Sequence, residues 1–164
     1  MKNGKRNQKG FSLIELLVVV AIILVVAAIA IPNLLQAGVS SNESSAVVSV
    51  RTIGVAMAAY NSKYWAVGYA PTLAALGGTS CAPPSQNGAC LIDTVLASGT
   101  KSGYNFSATS IGSAPAEQYV AVALPIPGSG NRSFCITENG VIHYDPTGSV
   151  IPDHDSCIAL TSLQ

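Results

Sequence analysis

A chain of 164 residues with a mean hydropathy of +0.43 has room for one small domain, and a single stretch supplies most of that hydropathy. The formal charge of zero hides an asymmetry: Lys2, Lys5, Arg6 and Lys9 all precede Phe11, whereas every Asp and Glu lies at or beyond Glu15. Beyond the first ten residues four basic residues, Arg51, Lys63, Lys101 and Arg132, stand against eight acidic ones, so charge gives a nucleic-acid partner no footing.

The first predicted element begins at Phe11 and is apolar from Leu16 to Ile31, where Pro32 follows. A basic preface and an apolar run also describe a secretory signal, with Ala28, Ala30 and Ala37 as weak cleavage candidates, but here the helical pattern continues past Pro32. As a membrane span, residues 16–31 rise only about 24 Å against a hydrocarbon core of roughly 30 Å. Extending the span to Phe11 and Leu35 makes it long enough, but places Glu15 inside it. A carboxylate at the centre of such a helix costs roughly 2.5–3.5 kcal/mol, less near its end. The plainer reading has Glu15 reaching back to the interface; the sharper one gives it a partner.

The run Lys9-Gly10-Phe11-Ser12-Leu13-Ile14-Glu15-Leu16-Leu17, with Pro32 beyond it, resembles the processing segment of type IV pilins and of the pseudopilins of type II secretion systems. The resemblance is specific from Gly10 to about Tyr64 and general thereafter. It implies an α+β fold, the type IV pilin fold, in which a long kinked N-terminal helix packs on a small antiparallel sheet of about four strands. It also implies a prepilin peptidase that cuts between Gly10 and Phe11, N-methylation of Phe11, and assembly through the apolar helix. Glu15 would then find its positive partner in the α-amino group that cleavage creates at Phe11 of a neighbouring subunit. Charge logic agrees, because an unpaired buried carboxylate is very costly and Arg51 is the sole basic residue between Phe11 and Lys63.

On this reading residues 1–10 form a cleaved leader and residues 11–38 a transmembrane and filament-core half of the helix. Residues 39–164 form a headgroup: amphipathic helix 39–65, irregular connection 66–102, sheet 103–145 and a disulfide-bonded C-terminal loop 146–164. Pro32 and Gly38 predict a bent or locally melted helix from Ile31 to about Gly38. Val47, Val50, Ile53, Met57, Tyr60 and Tyr64 then recur at three- and four-residue spacing, which predicts one face lying on the head, with Ser49, Arg51, Thr52, Asn61 and Ser62 opposite. Tyr60, Tyr64, Trp65 and Tyr69 cluster at the end of that helix. A binding platform or an electron-hopping path would use them, but capping the core is the simpler role.

Thr72 to Leu76, followed by two glycines, predicts one helical turn with Thr72 as its N-cap, and Leu91 to Ala97 predicts another ending near Gly99. Beyond Gly103 the period becomes two, predicting strands at Tyr104–Ser107, Tyr119–Leu124, Ser133–Thr137 and Val141–Asp145. Asn139-Gly140 predicts a two-residue type I′ hairpin. Its register puts Phe134, Ile136, Val141 and His143 on one face and Cys135, Thr137, Ile142 and Tyr144 on the other.

Cys81, Cys90, Cys135 and Cys157 all follow the apolar segment, so with a cytoplasmic N-terminus they lie on the oxidising side. Three pairings exist; closeness along the chain favours Cys81 with Cys90 and Cys135 with Cys157, worth roughly 2.7 and 3.4 kcal/mol by loop-closure entropy. No nucleophile stands at a recognisable spacing from His143 or His154, so no catalysis is expected and no cofactor is called for. Asp145, Asp153 and Asp155 are candidate calcium ligands, a reading the resemblance to pseudopilins raises; solvated turn acids are the plainer account. Sequons at Asn42, Asn105 and Asn131 permit glycosylation.

The sequence thus points to a structural subunit, a major pilin, with identical subunits, prepilin peptidase, pilus assembly machinery and the inner membrane as partners. It would be a single-pass inner-membrane precursor with a cytoplasmic N-terminus, and then part of an extracellular pilus. A pseudopilin in a short periplasmic piston is the first alternative. A membrane-anchored binding protein that never polymerises is a second, from a different class.

Overall fold

The computed structural model describes residues 10–78, 81 and 83–163. The basic leader, apart from Gly10, lies outside them. The chain divides into two units, Met1–Ala37 and Gly38–Gln164. One helix, α1 (Leu13–Lys63), supplies the first unit and opens the second.

In the first unit the helix has no core of its own to face. Leu13 through Leu35 present large apolar side chains to the outside, from Leu13 at 80% exposure to Leu35 at 67%. The local melting predicted at residues 31–38 does not occur, and the helix is unbroken there. Pro32 removes one N–H, but the residues around it include good helix formers such as Leu34, Leu35, Gln36 and Ala37. Asn33 Nδ2 also donates to the Ile29 carbonyl at 3.2 Å.

The second unit is a sheet with packing on both faces. Six strands run in sequence order, each antiparallel to the next: β1 (Thr100–Lys101), β2 (Tyr104–Ile111), β3 (Gln118–Pro125), β4 (Ser133–Thr137), β5 (Ile142–Asp145) and β6 (Thr161–Ser162). Two strands were therefore missed, both of two residues and both at the sheet edges. Strand β2 also runs four residues beyond its predicted end, because Ala108 continues the inward row of Tyr104 and Phe106 with a side chain too small to stand out in the sequence. The C-terminal stretch predicted as loop carries a short helix, α4 (His154–Ile158), besides β6. In the connection, α2 (Leu73–Leu76) and α3 (Thr94–Ala97) are single turns capped by Thr72 and Asp93.

On the first sheet face, Ala46, Val50, Ile53, Met57 and Tyr60 of α1 meet Tyr104, Phe106, Tyr119, Ala121, Ala123, Phe134, Ile136 and Ile142. Gly54 lets helix and sheet come close, since a Cβ there would stand 2.7 Å from Ile136 Cδ1. Ser49, assigned by the sequence to the outer face, is buried, while Arg51 and Thr52 are exposed. On the second face Val122 and Cys135 pack with Ile151 and Cys157 from the C-terminal segment. Disulfides join Cys81 to Cys90 and Cys135 to Cys157, with Cα separations of 5.8 and 6.0 Å.

The β4–β5 hairpin departs from its predicted register by one residue. Ile136 pairs with Ile142 and Cys135 with His143, leaving residues 138–141 as the connection between the strands. Gly140 N–H donates to the Thr137 carbonyl at 3.0 Å and Gly140 has φ +74°, the geometry of a turn closed by a left-handed glycine. Slipping one residue moves every side chain of β5 to the opposite face. Ile142 and Tyr144 therefore join Phe134 and Ile136 on the helix side, and His143 joins Cys135 on the other.

Candidate functional site: the N-terminal segment and the head anchors

The segment singled out by its motif starts outside regular structure. Gly10, Phe11 and Ser12 precede the helix, and Phe11 is 85% exposed, so the Gly10–Phe11 peptide bond is open to solvent. A methyl group added to Gly10 would meet nothing within 4 Å and its φ is not in the left-handed range. Among the described residues, packing therefore places no demand for glycine there.

Glu15 sits in the first turn of α1, where a carboxylate opposes the exposed N–H groups of the helix end. Its Oε2 accepts a hydrogen bond from the Ser12 backbone N–H at 2.9 Å. Ser12-x-x-Glu15 is thus the carboxylate half of a capping box. The sequence reading passed over it, although the Ser-x-x-Glu spacing was in plain view. Beyond this turn no other polar side chain appears until Asn33. Among the described residues, α1 is the one helix long and apolar enough to cross a membrane, and its apolar window is entirely unburied within the chain.

The head is fastened to its own portion of α1 by polar contacts far apart in sequence. Glu43 is buried, and its carboxylate accepts from Asn131 N–H at 3.0 Å and from Arg132 Nε at 2.8 Å, with Arg132 Nη2 at 2.6 Å. Arg132 in turn lies over the rings of Phe134 and Tyr144 at 5.6 and 5.7 Å. Burial by itself would push the Glu43 carboxyl up, but the Asn131 N–H and the Arg132 guanidinium outweigh it and hold the group below the ordinary carboxylate range. Beside it Asn42 Nδ2 donates to the Ser129 carbonyl at 3.0 Å, which occupies the amide of that sequon.

The aromatics at the end of α1 part company. The Tyr60 and Tyr64 ring centroids lie 4.7 Å apart with the planes tilted by 51°, and Tyr60 O–H donates to the Gln86 carbonyl, while Tyr69 packs on Tyr119 at 4.7 Å. These cap the core. Trp65 does not, being 78% exposed.

The three candidate calcium carboxylates are each engaged separately. Asp145 accepts from Thr147 N–H and Oγ1, which hold it below the ordinary range; Asp153 caps α4 through Ser156 N–H; Asp155 approaches His154. Among the described residues no group of three or more His, Cys, Asp or Glu side chains is placed to hold a metal ion. His154 lies with Glu138 and Asp155, its Nε2 2.9 Å from Glu138 Oε1 and its Nδ1 3.2 Å from Asp155 Oδ1. His143 stands apart from it, its Nδ1–H donating to the Leu160 carbonyl at 2.8 Å.

Comparison with protein families bears on the N-terminal segment. Residues 5–31 match the family described as the prokaryotic N-terminal methylation motif. Over 39 residues the chain is 59% identical to the type IV wide pilus major component PilA4 of Thermus thermophilus. That stretch is 24% of this chain and 30% of the relative, so the likeness spans less than a third of the relative's length. No solved structure matches.

Proposed function

The chain belongs to the type IV pilin family by its N-terminal segment, and from that premise we propose that it is a structural subunit, a major pilin, of a type IV pilus-like filament. The precursor is held in the inner membrane by α1, cut between Gly10 and Phe11 by prepilin peptidase and methylated on the Phe11 nitrogen. Mature subunits then polymerise by burying their apolar helices against one another. The role is one of architecture, with no catalysis assigned to the head.

One observation carries this reading: the apolar N-terminal stretch of α1 is unburied among the described residues and holds a single carboxylate one turn from the Gly10–Phe11 bond. A surface of that kind in water is an interaction surface. In a stack of such helices a lone carboxylate requires a cation. The α-amino group freed at Phe11 is the nearest chemistry that supplies one, and the Ser12 N–H holds Glu15 until then.

The test is intact mass of material sheared from the cell surface, together with electron microscopy of it. A chain starting at Phe11 with one extra methyl group, in long filaments, is the expected result. A chain retaining Met1 overturns the processing step, and short periplasmic assemblies coupled to protein export would place the chain among the pseudopilins instead.

A further inference from the structure

Four basic residues follow the leader, and three of them are engaged within the chain. Lys101 Nζ lies 3.2 Å from Asp93, Arg132 grips Glu43, and Lys63 stands 5.4 Å over the Tyr64 ring. Arg51 is exposed on the outer face of α1 and, among the described residues, has no carboxylate within salt-bridge distance. Its company is apolar. Val48 and Val55, one turn to either side of it, are 65% and 68% exposed, and with Thr52, Ala59 and Leu91 they border a trough of about 500 Å³. Two large exposed aliphatic side chains around an unpaired cation form an interaction surface rather than a solvated helix face.

We propose that the Val48–Arg51–Val55 face receives the first turns of α1 of a second copy, with the Arg51 guanidinium on that copy's Glu15 carboxylate. This rests on the filament-subunit reading above and adds a contact to it. The two surfaces are complementary. One is apolar around a cation, and the other is apolar around an anion, with Phe11 and Val18 one turn to either side of Glu15 at 85% and 49% exposure. Glu15 spends Oε2 on the Ser12 N–H, and among the described residues Oε1 has no partner. The pair cannot close within one chain, because side chains of one helix meet at three- or four-residue spacing. Glu117 is also without a cation among the described residues, but it lies with Gly112, Ser113 and Gln118, a polar setting that offers the valines no burial.

The contact is heterologous: residues 48–55 of one copy meet residues 11–18 of the next, and each copy keeps its other surface for a further neighbour. Contacts of that kind propagate into open helical assemblies instead of closing into pairs. The amine freed at Phe11 and the guanidinium are not rivals, since the two oxygens of a carboxylate offer about four lone-pair sites. They differ in timing. The amine appears only on cleavage, whereas Arg51 is a cation in precursor and mature chain alike. Cleavage then permits assembly, and Arg51 fixes where along its neighbour each helix comes to rest. Copies that leave the membrane the same way round pack in parallel, so Val18 of one comes level with Val55 of the next and lies two turns from Val48.

The experiment uses the full chain in cells that make filaments. Arg51→Glu should lower the number of sheared filaments counted by electron microscopy about tenfold or more, with the melting temperature of the head unchanged. For the contact itself, Val18→Cys is combined with Val55→Cys or with Val48→Cys and the assembled filaments are oxidised. A ladder of cross-linked subunits is expected from Val18 with Val55 and none from Val18 with Val48, because a disulfide requires Cα atoms within about 7 Å. Normal filament number in Arg51→Glu overturns the contact, as does a missing Val18–Val55 ladder, the outcome if lipid or a foreign protein covers this face. Should Arg51→Glu fail to fold, the cross-link decides; should the cysteine pairs fail to assemble, the Arg51→Glu count decides. If the contact falls while Glu15→Ala still abolishes filaments, the filament reading stands without it; normal filaments in Glu15→Ala would bring down that reading as well.

Discussion

Residues 10–37 and residues 38–163 solve the hydrophobic problem in opposite ways. The head collects its apolar side chains on two faces of a sheet, against α1 on one side and the C-terminal segment on the other, and closes with two disulfides. The N-terminal unit has as dense an apolar surface and encloses none of it. One region buries its apolar side chains within the chain, and the other leaves them outside, to be covered, under the proposed function, by lipid or by further helices. Polar groups follow the same division. Glu43 in the head has its cation in the same chain, 89 residues on, whereas Glu15, among the described residues, accepts from the Ser12 backbone N–H.

The largest effect that would test this division is on assembly. Glu15→Ala should abolish or sharply reduce filaments seen by electron microscopy, while precursor still inserts in the membrane and the head melts at an unchanged temperature. Filaments of normal number would break the comparison by showing that the apolar helices need no charge pairing. Next comes the head's own closure: replacing Cys135 and Cys157 together by serine should cost about 3 kcal/mol in denaturant unfolding and leave the N-terminal unit's membrane insertion untouched. A loss well under 1 kcal/mol would mean that Val122, Ile151 and Leu160 hold the C-terminal segment without the bond.

The smallest of the three concerns Glu43. Glu43→Gln should cost roughly 1–2 kcal/mol near neutral pH, less than a fully buried pair because Arg132 is 40% exposed. Since the folded carboxyl lies below its unfolded value, its contribution is present above the unfolded value and is lost as pH falls through the folded one. The substitution should therefore flatten the acid limb of the stability curve, and an unaltered acid limb would locate that dependence elsewhere.

The N-terminal unit was the more legible of the two, because its chemistry is contiguous: a basic run, a glycine, a lone carboxylate and an apolar stretch sit side by side in the chain. Helix α1 within the head was legible by period, which picked out Val50, Ile53, Met57 and Tyr60, and failed at Ser49, a small polar residue buried by its position. Thr72 was legible as a cap because capping is local. Arg132 was not, because nothing near it in sequence announces Glu43 or the rings of Phe134 and Tyr144.

What the sequence by itself determined is the apolar N-terminal helix and the positions of the longer strands, which follow from composition and short-range period, while the α+β class was implied by the resemblance of the N-terminal motif. What only the tertiary structure decided is which face of each strand is inside. Asn139-Gly140 fits a two-residue turn and a longer one closed by a left-handed glycine equally well as a string of letters. The packing of Ile142 with Ile136 against the helix selects the second. A strand has period two, so that one-residue choice reassigns every side chain from β5, and no local signal contains it.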